Sequence, residues 1–246
     1  MRKIFLVLLA SASLGLTGVQ AGSAADVQMP TFKAPAPFSW TGYYFGAQAG
    51  GGAFDPDVTA EADPGVGFLL GGQVGYNHQF GMLVLGIEGE GFWSSMNDQL
   101  QNACTTCGFV DTYSYKNTGD FDIAARAGLA IFDRALIYAK GGFVLANYSF
   151  HGAESNLYTS ETASGWLPAV LIGAGFQYAL PPVGNPLPGG TLVVGMEYNY
   201  ISLNTTTLTA NYTCPSCTPT SGWYDFTASG TKQIVKLRVD WLFNGP

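Results

Sequence analysis

The chain reads as all-β, an eight-stranded antiparallel up-and-down transmembrane β-barrel, on three grounds. The first is an inverted alternation of side chains. From Gly119 to Ile131 one row holds Phe121, Ile123, Ala125, Ala127 and Leu129, and the row between holds Asp120, Asp122, Ala124, Arg126 and Gly128. From Val235 to Phe243, Val235, Leu237, Val239, Trp241 and Phe243 alternate with Lys236, Arg238, Asp240 and Leu242. A period of two is the mark of a β-strand. The second ground is composition: 11% of residues are charged, whereas 33 glycines and 14% aromatics imply many strands and turns. Ordinary soluble domains carry about 25% charged residues, so this chain is short of material for a wetted surface. The third is the lack of helical segments to cover so many apolar rows. Lipid is then the cover, and a closed barrel satisfies the strand backbone there.

Met1 to Ala25 reads as a signal peptide. Arg2 and Lys3 precede the apolar run Ile4 to Ala10, and small residues lead to Ala21, Ala24 and Ala25. That order of charge, apolar run and small residues directs export. Losing Arg2 and Lys3 leaves 8 of the 10 basic residues against 17 acidic ones, a net charge of −9. Such a balance argues against nucleic acid as a partner. Residues 26–39, with Pro30, Pro35 and Pro37, read as a proline-rich periplasmic tail. No other stretch supplies the roughly 18 consecutive apolar residues of a spanning helix. Trp166 to Phe176 is interrupted by Pro168, Gly173 and Gly175.

The barrel is predicted over residues 40–243, followed by a short extension, 244–246. Its eight strands are placed at 40–54, 66–80, 82–93, 119–131, 135–150, 166–180, 191–203 and 230–243. Short links at Gly81, at Phe132 to Arg134 and at Pro181 to Gly190 alternate with long ones at 55–65, 94–118, 151–165 and 204–229. In outer-membrane barrels short turns face the periplasm and long loops face outward, which places both termini in the periplasm. Aromatic girdles are expected at both rims. Trp40, Tyr76, Phe80, Phe132, Tyr178, Trp241 and Phe243 are assigned to the periplasmic rim, and Phe54, Phe68, Phe92, Phe121, Phe150, Trp166 and Tyr200 to the outer one. A soluble lipocalin-like barrel would have to wet its charged row with too few charges.

The stretch from Phe38 through Trp40, Gly42, Tyr43 and Tyr44 to Gly46 resembles the opening of small outer-membrane β-barrel proteins of alphaproteobacteria. That group includes major surface antigens and haemin-binding proteins. Gly71 to Asn77, Gly86 to Gly89, Gly173 to Tyr178 and Met196 to Tyr200 resemble the same family's later strands. The family usually ends on an aromatic residue, whereas Phe243 is followed by Asn244, Gly245 and Pro246. The resemblance suggests haem binding. Inverted strands on an exported chain are themselves expected to reside in the outer membrane with lipid and lipopolysaccharide, where peptidoglycan or a host surface are the further candidate partners.

The inward row holds Glu88, Glu90, Asp122, Glu197 and Asp240 against Arg126, Lys140, Lys236 and Arg238. An eight-stranded barrel is just wide enough for its own side chains, so a plugged lumen of paired charges is expected. A gated ion path through the same residues is the alternative. Cys104 and Cys107 in the second outer loop, and Cys214 and Cys217 in the fourth, are expected to form disulfides, given an oxidising export route. Three pairings are open. A four-thiolate zinc site and redox exchange are the other readings.

Asp55, Asp57, Glu61 and Asp63 crowd the first loop and offer oxygen ligands, though without a calcium-loop spacing. His78 is placed on the outward row near the periplasmic rim, and His151 opens the third loop near Ser149 and Glu154. Neither shows a catalytic spacing, so no enzyme activity is expected. His151 with Tyr148 or Tyr158 is the candidate haem ligand set. No cofactor is otherwise predicted. The expected role is that of a monomeric structural and surface-interactive barrel, with a small low-conductance porin or a haem or host-surface binder as alternatives.

Overall fold

A computed structural model of the chain describes residues 38–56, 65–104, 109–154, 159–181 and 189–244, and every regular element among them is a β-strand. These residues lie in the compact unit Pro37–Pro246. The predicted signal segment and most of the proline-rich tail fall outside the described residues. The strands are β1 (Gly42–Pro56), β2 (Gly65–Phe80), β3 (Leu83–Ser94), β4 (Asn97–Cys104), β5 (Phe109–Ile131), β6 (Ala135–Glu154), β7 (Thr159–Ala179), β8 (Thr191–Thr213) and β9 (Ser221–Asn244).

Every pairing is antiparallel, and β1 bonds both β2 and β9 while β3 bonds both β2 and β5, so the sheet closes on itself. β3 and β4 follow one another along the same edge of β5. They form one stave, interrupted at Ser95 and Met96, whose backbones still bond Phe68 and Asn117. The ring therefore has eight staves, as the alternation implied. Tight connections such as Gly81, at φ +62° between β2 and β3, lie at one end, here called the turn end. A residue without Cβ takes that left-handed conformation at little cost. The opposite rim is the loop end.

The two faces are inverted relative to a soluble protein. Val66, Leu70, Val74, Ile87, Ile123, Phe143, Ile172 and Leu237 are each more than half exposed, whereas Glu88, Glu90, Arg126, Lys140, Glu197, Lys236, Arg238 and Asp240 are buried. Burial of charge beside exposure of apolar rows is what a lipid-facing barrel with a polar interior requires.

Three of the four long loops are largely strand instead. β5 begins at Phe109 rather than 119, β7 at Thr159 rather than 166, and β8 runs to Thr213 with β9 resuming at Ser221. About 9–11 tilted residues cross a bilayer. The 23 residues of β8 and 24 of β9 therefore carry the wall well past it. Two irregularities hid these extensions. The β5 register slips between Asn117 and Gly119, and the β8 register between Leu203 and Thr206. A bulge inserts one residue and flips the rows above it. Asp120 and Asp122 face inward below the first slip, and Asn117 and Tyr115 face inward above it. Apolar alternation also ends there, because a wall standing beyond lipid needs no apolar outer row.

The girdles need a second correction. Tyr76, Phe80, Phe132, Tyr178 and Phe243 at the turn end, and Phe68, Phe121, Trp166 and Tyr200 at the loop end, do look outward. Trp40 does not, at 1% exposure. It precedes β1, stacks edge-on with Phe38 and closes the turn end of the lumen beside Tyr44, Val84, Leu136 and Leu242. Trp241 keeps an outward register between Phe45 and Leu192, yet its ring is covered and presses on Gly190. Phe54, Phe92 and Phe150 face inward and fill the lumen toward the loop end. Phe92 shares a row with Glu88 and Glu90, so strand parity overrules its apolar character.

Candidate functional site

Mid-height in the barrel, long charged side chains from β3, β5, β6, β8 and β9 meet across the axis. Glu88 of β3 is the hub. Its Oε2 accepts from the Tyr44 hydroxyl at 2.7 Å, from Arg126 Nη1 at 3.1 Å and from Arg238 Nη2 at 2.5 Å. Its Oε1 lies 3.2 Å from Lys140 Nζ. That ammonium also stands 2.9 Å from Glu90 Oε1 and 2.7 Å from Glu197 Oε1. Lys236 pairs with Glu90 and, at 3.0 Å, with Glu197. Arg238 reaches Glu197 Oε2 at 2.9 Å and Asp240 Oδ2 at 2.9 Å.

Neutral groups complete the layer. The Tyr138 hydroxyl donates to Glu197 at 2.5 Å, and Gln73 and Gln177 each donate to Asp240 at 2.7 Å. The Arg126 guanidinium lies 4.0 Å from the centroid of the Tyr138 ring. A buried ion costs several kcal/mol unless opposite charges and hydrogen bonds surround it. The paired side chains here are 0–2% exposed, so the ion pairs are shielded from bulk solvent and held by mutual satisfaction.

The three glutamates Glu88, Glu90 and Glu197 bring one carboxylate oxygen each within 4.8 Å of one another, the spacing of a cation site. The cation there is Lys140's own ammonium. A tethered charge does the work of an ion and cannot diffuse away.

The structure joins eight of the nine predicted lumen residues into this one network. Asp122 is not among them: it is buried, its Oδ1 has no hydrogen-bond partner, and it sits directly opposite Glu90 in the register. An aspartate reaches one methylene less far toward the axis than a glutamate, so the bases close on Glu90 instead. Directly opposed like charges in a sheet are destabilising. Asp122→Asn should therefore raise folded stability by up to about 1 kcal/mol, read from the urea midpoint of refolding in detergent. A lowered midpoint would place a partner on that carboxylate.

Sequence reasoning missed a second layer above the first. Lys232 pairs with Asp120 and also donates to Asn117 at 3.1 Å, while Asn117 donates to Asp120 at 2.8 Å. Lys232 shares the row of Lys236 and Arg238, a signal that parity alone carried. Tyr44, Tyr138, Gln73 and Gln177 were likewise legible only as members of inward rows.

The other candidates disperse. Cys214 and Cys217 are disulfide-bonded to each other, Cα atoms 5.3 Å apart. That removes cross-loop pairing, and it withdraws two of the four thiolates a zinc site needs. Cys104 ends β4, and Cys107 lies outside the described residues. Asp55 is exposed at the end of β1, and Asp57, Glu61 and Asp63 lie outside the described residues. His151 is not in a loop but on the exposed face of β6, opposite Thr162. Tyr148, three residues away, points into the lumen, so the two do not converge, and Tyr158 lies outside the described residues. His78 is exposed on β2, its ring 4.5 Å from that of Phe80.

Residues 11–230 match the family described as outer membrane protein beta-barrel domain. The 31 kDa outer-membrane immunogenic protein of Brucella melitensis is 30% identical over 195 residues, covering 69% of this chain and 79% of that protein. Its Brucella suis counterpart matches to the same extent. Among solved structures, Neisserial surface protein A is 14% identical, covers 82% of this chain and 98% of its own, and superposes with a TM-score of 0.45. A major outer membrane protein from Thermus thermophilus is 12% identical over 82% and 99% of the two chains, with a TM-score of 0.46.

Proposed function

Since the chain belongs to the outer membrane protein β-barrel family and resides in the outer membrane, we propose that it is a closed structural and surface-interactive barrel rather than a pore. The observation that carries this reading is Lys140. Its ammonium binds three glutamates from two other strands at the centre of the lumen. Arg238 ties all three of those glutamates to Asp240 just beside it, Glu90 most loosely at 3.7 Å. A conducting path needs sites that bind an ion and release it. Here each carboxylate of the layer's core already faces a tethered cation.

The surface-interactive half of the reading rests on the walls beyond the membrane. β8 and β9 continue as a paired hairpin from Thr206 and Ala228 to Thr213 and Ser221, with Trp223 exposed upon it. With the turn end toward the periplasm, this hairpin stands on the cell exterior. The Cys214–Cys217 disulfide staples its tip. Planar-bilayer recording of the purified protein tests the closed state. No sustained conductance step is expected, and a steady open level in the unmodified protein would refute it.

A further inference from the structure

We propose that the lipid-facing wall carries a specific site for a phosphorylated acyl-lipid, at the level where the loop-end half of the barrel leaves the membrane. One register row across five staves runs Leu70, Trp93, Gly119, Asn147, Trp166. Two indoles therefore flank a stretch with little side-chain bulk. The row below sets Gly91 against Phe121. The result is a groove of about 450 Å³ on the outer surface, walled by Trp93, Phe121 and Trp166 and floored by Gly91 and Gly119. That volume is in the range of small-molecule sites.

The floor depends on glycine. A Cβ on Gly119 would stand 2.6 Å from the Phe92 carbonyl oxygen, and one on Gly91 would stand 2.9 Å from the Phe121 ring. The β5 bulge supplies the rest, placing Thr118 in the groove, where its hydroxyl donates to Asn147 at 2.7 Å. Apolar walls on a surface that meets acyl chains fit an acyl chain. Tryptophans at this height mark the membrane boundary, where headgroups begin.

The headgroup is specified by charge. Of the seven cations among the described residues, five lie buried in the lumen and Arg134 sits at the turn end. Lys116 is the exposed one, on β5 just beyond Thr118, and no ion pair engages it among the described residues. On a chain this acidic, an exposed cation two residues along β5 from the groove's Thr118 matches an anionic headgroup on an acyl chain. A phosphate ester has that charge.

The test uses the full protein refolded into phosphatidylcholine vesicles containing a minor fraction of phosphatidate with brominated chains. Fluorescence quenching at the groove is isolated by subtracting the signal of W93F/W166F. Brominated phosphatidate should quench as though enriched about fivefold over brominated phosphatidylcholine at the same fraction, the value of one surface cation. K116E should abolish the enrichment. Thr118→Phe, which fills the groove and leaves Lys116 in place, should abolish it too, with folding checked by heat-modifiable migration. Equal quenching by both lipids, or enrichment unchanged in K116E, would overturn the proposal. Enrichment lost in K116E but kept in Thr118→Phe would reduce it to bare charge attraction and overturn the groove. Shielding from both lipids with a cross-linked dimer would assign the surface to a second copy and overturn it as well.

Discussion

Replacing Glu88 by leucine is expected to destabilise the folded barrel by about 3–5 kcal/mol, the usual cost of stripping one partner from a buried ion pair. The carboxylate faces Arg126, Lys140 and Arg238 and accepts from Tyr44. The loss is unevenly shared. Lys140 keeps Glu90 and Glu197, and Arg238 keeps Glu197, Asp240 and, at 3.7 Å, Glu90. Arg126 has no other carboxylate among the described residues and would be left with the Gln177 amide, the Tyr44 hydroxyl and the Tyr138 ring. A guanidinium does not escape by losing its proton, so the cost falls on folding. Glu88→Gln should lie between, keeping the shape and losing the charge. The measurement is the urea midpoint of unfolding in vesicles, followed by tryptophan fluorescence. A loss below about 1 kcal/mol for leucine would mean that the lumen is wet enough to screen its charges.

The second large effect is on the opposite face. Ile123→Arg should cost about 2–4 kcal/mol, the measured scale for a cation at the bilayer midplane on a barrel's outer row. Ile123 is 64% exposed at mid-height on β5, between Phe121 and Ala125 on the same row. In water such an exposed position would accept arginine freely. Thr207→Arg is the control: Thr207 is exposed on β8 beyond its register slip, where no lipid reaches, and a change within about 0.5 kcal/mol is expected. Equal small losses at both positions would remove the lipid from around the wall. The pair also locates the outer edge of the hydrophobic band, since intermediate positions on β5 should cost progressively less toward Lys116.

These two substitutions probe the parts of the protein that were most legible. Which side of a strand a residue occupies follows from its parity, and parity is local. Asp120, Asp122 and Arg126 could be separated from Phe121, Ile123 and Leu129 without knowledge of any other strand. Residue type proved a poorer guide wherever it conflicted with parity. Phe92 follows Glu90 by two residues and so lies in the lumen with it, despite being aromatic. Trp40 precedes the first strand, where parity does not apply, and it folds beneath the barrel.

The amino-acid sequence by itself determined an eight-stave closed wall, its lipid-facing and lumen-facing rows, and the charges within, because alternation and turn spacing are written along a single strand. Tertiary structure alone decided how those charges pair. Lys140 on β6 meets glutamates on β3 and β8, and Lys236 on β9 meets Glu90 on β3, partners that are not neighbours in the sheet. Other pairs, such as Arg126 with Glu88 and Lys236 with Glu197, join adjacent strands, but inward side chains in a narrow cylinder also converge on its axis, and closure sets which heights coincide. The bulges at Asn117 and beyond Leu203 were decided the same way. They arise where two neighbouring strands must be fitted to one register, a constraint that no single strand contains.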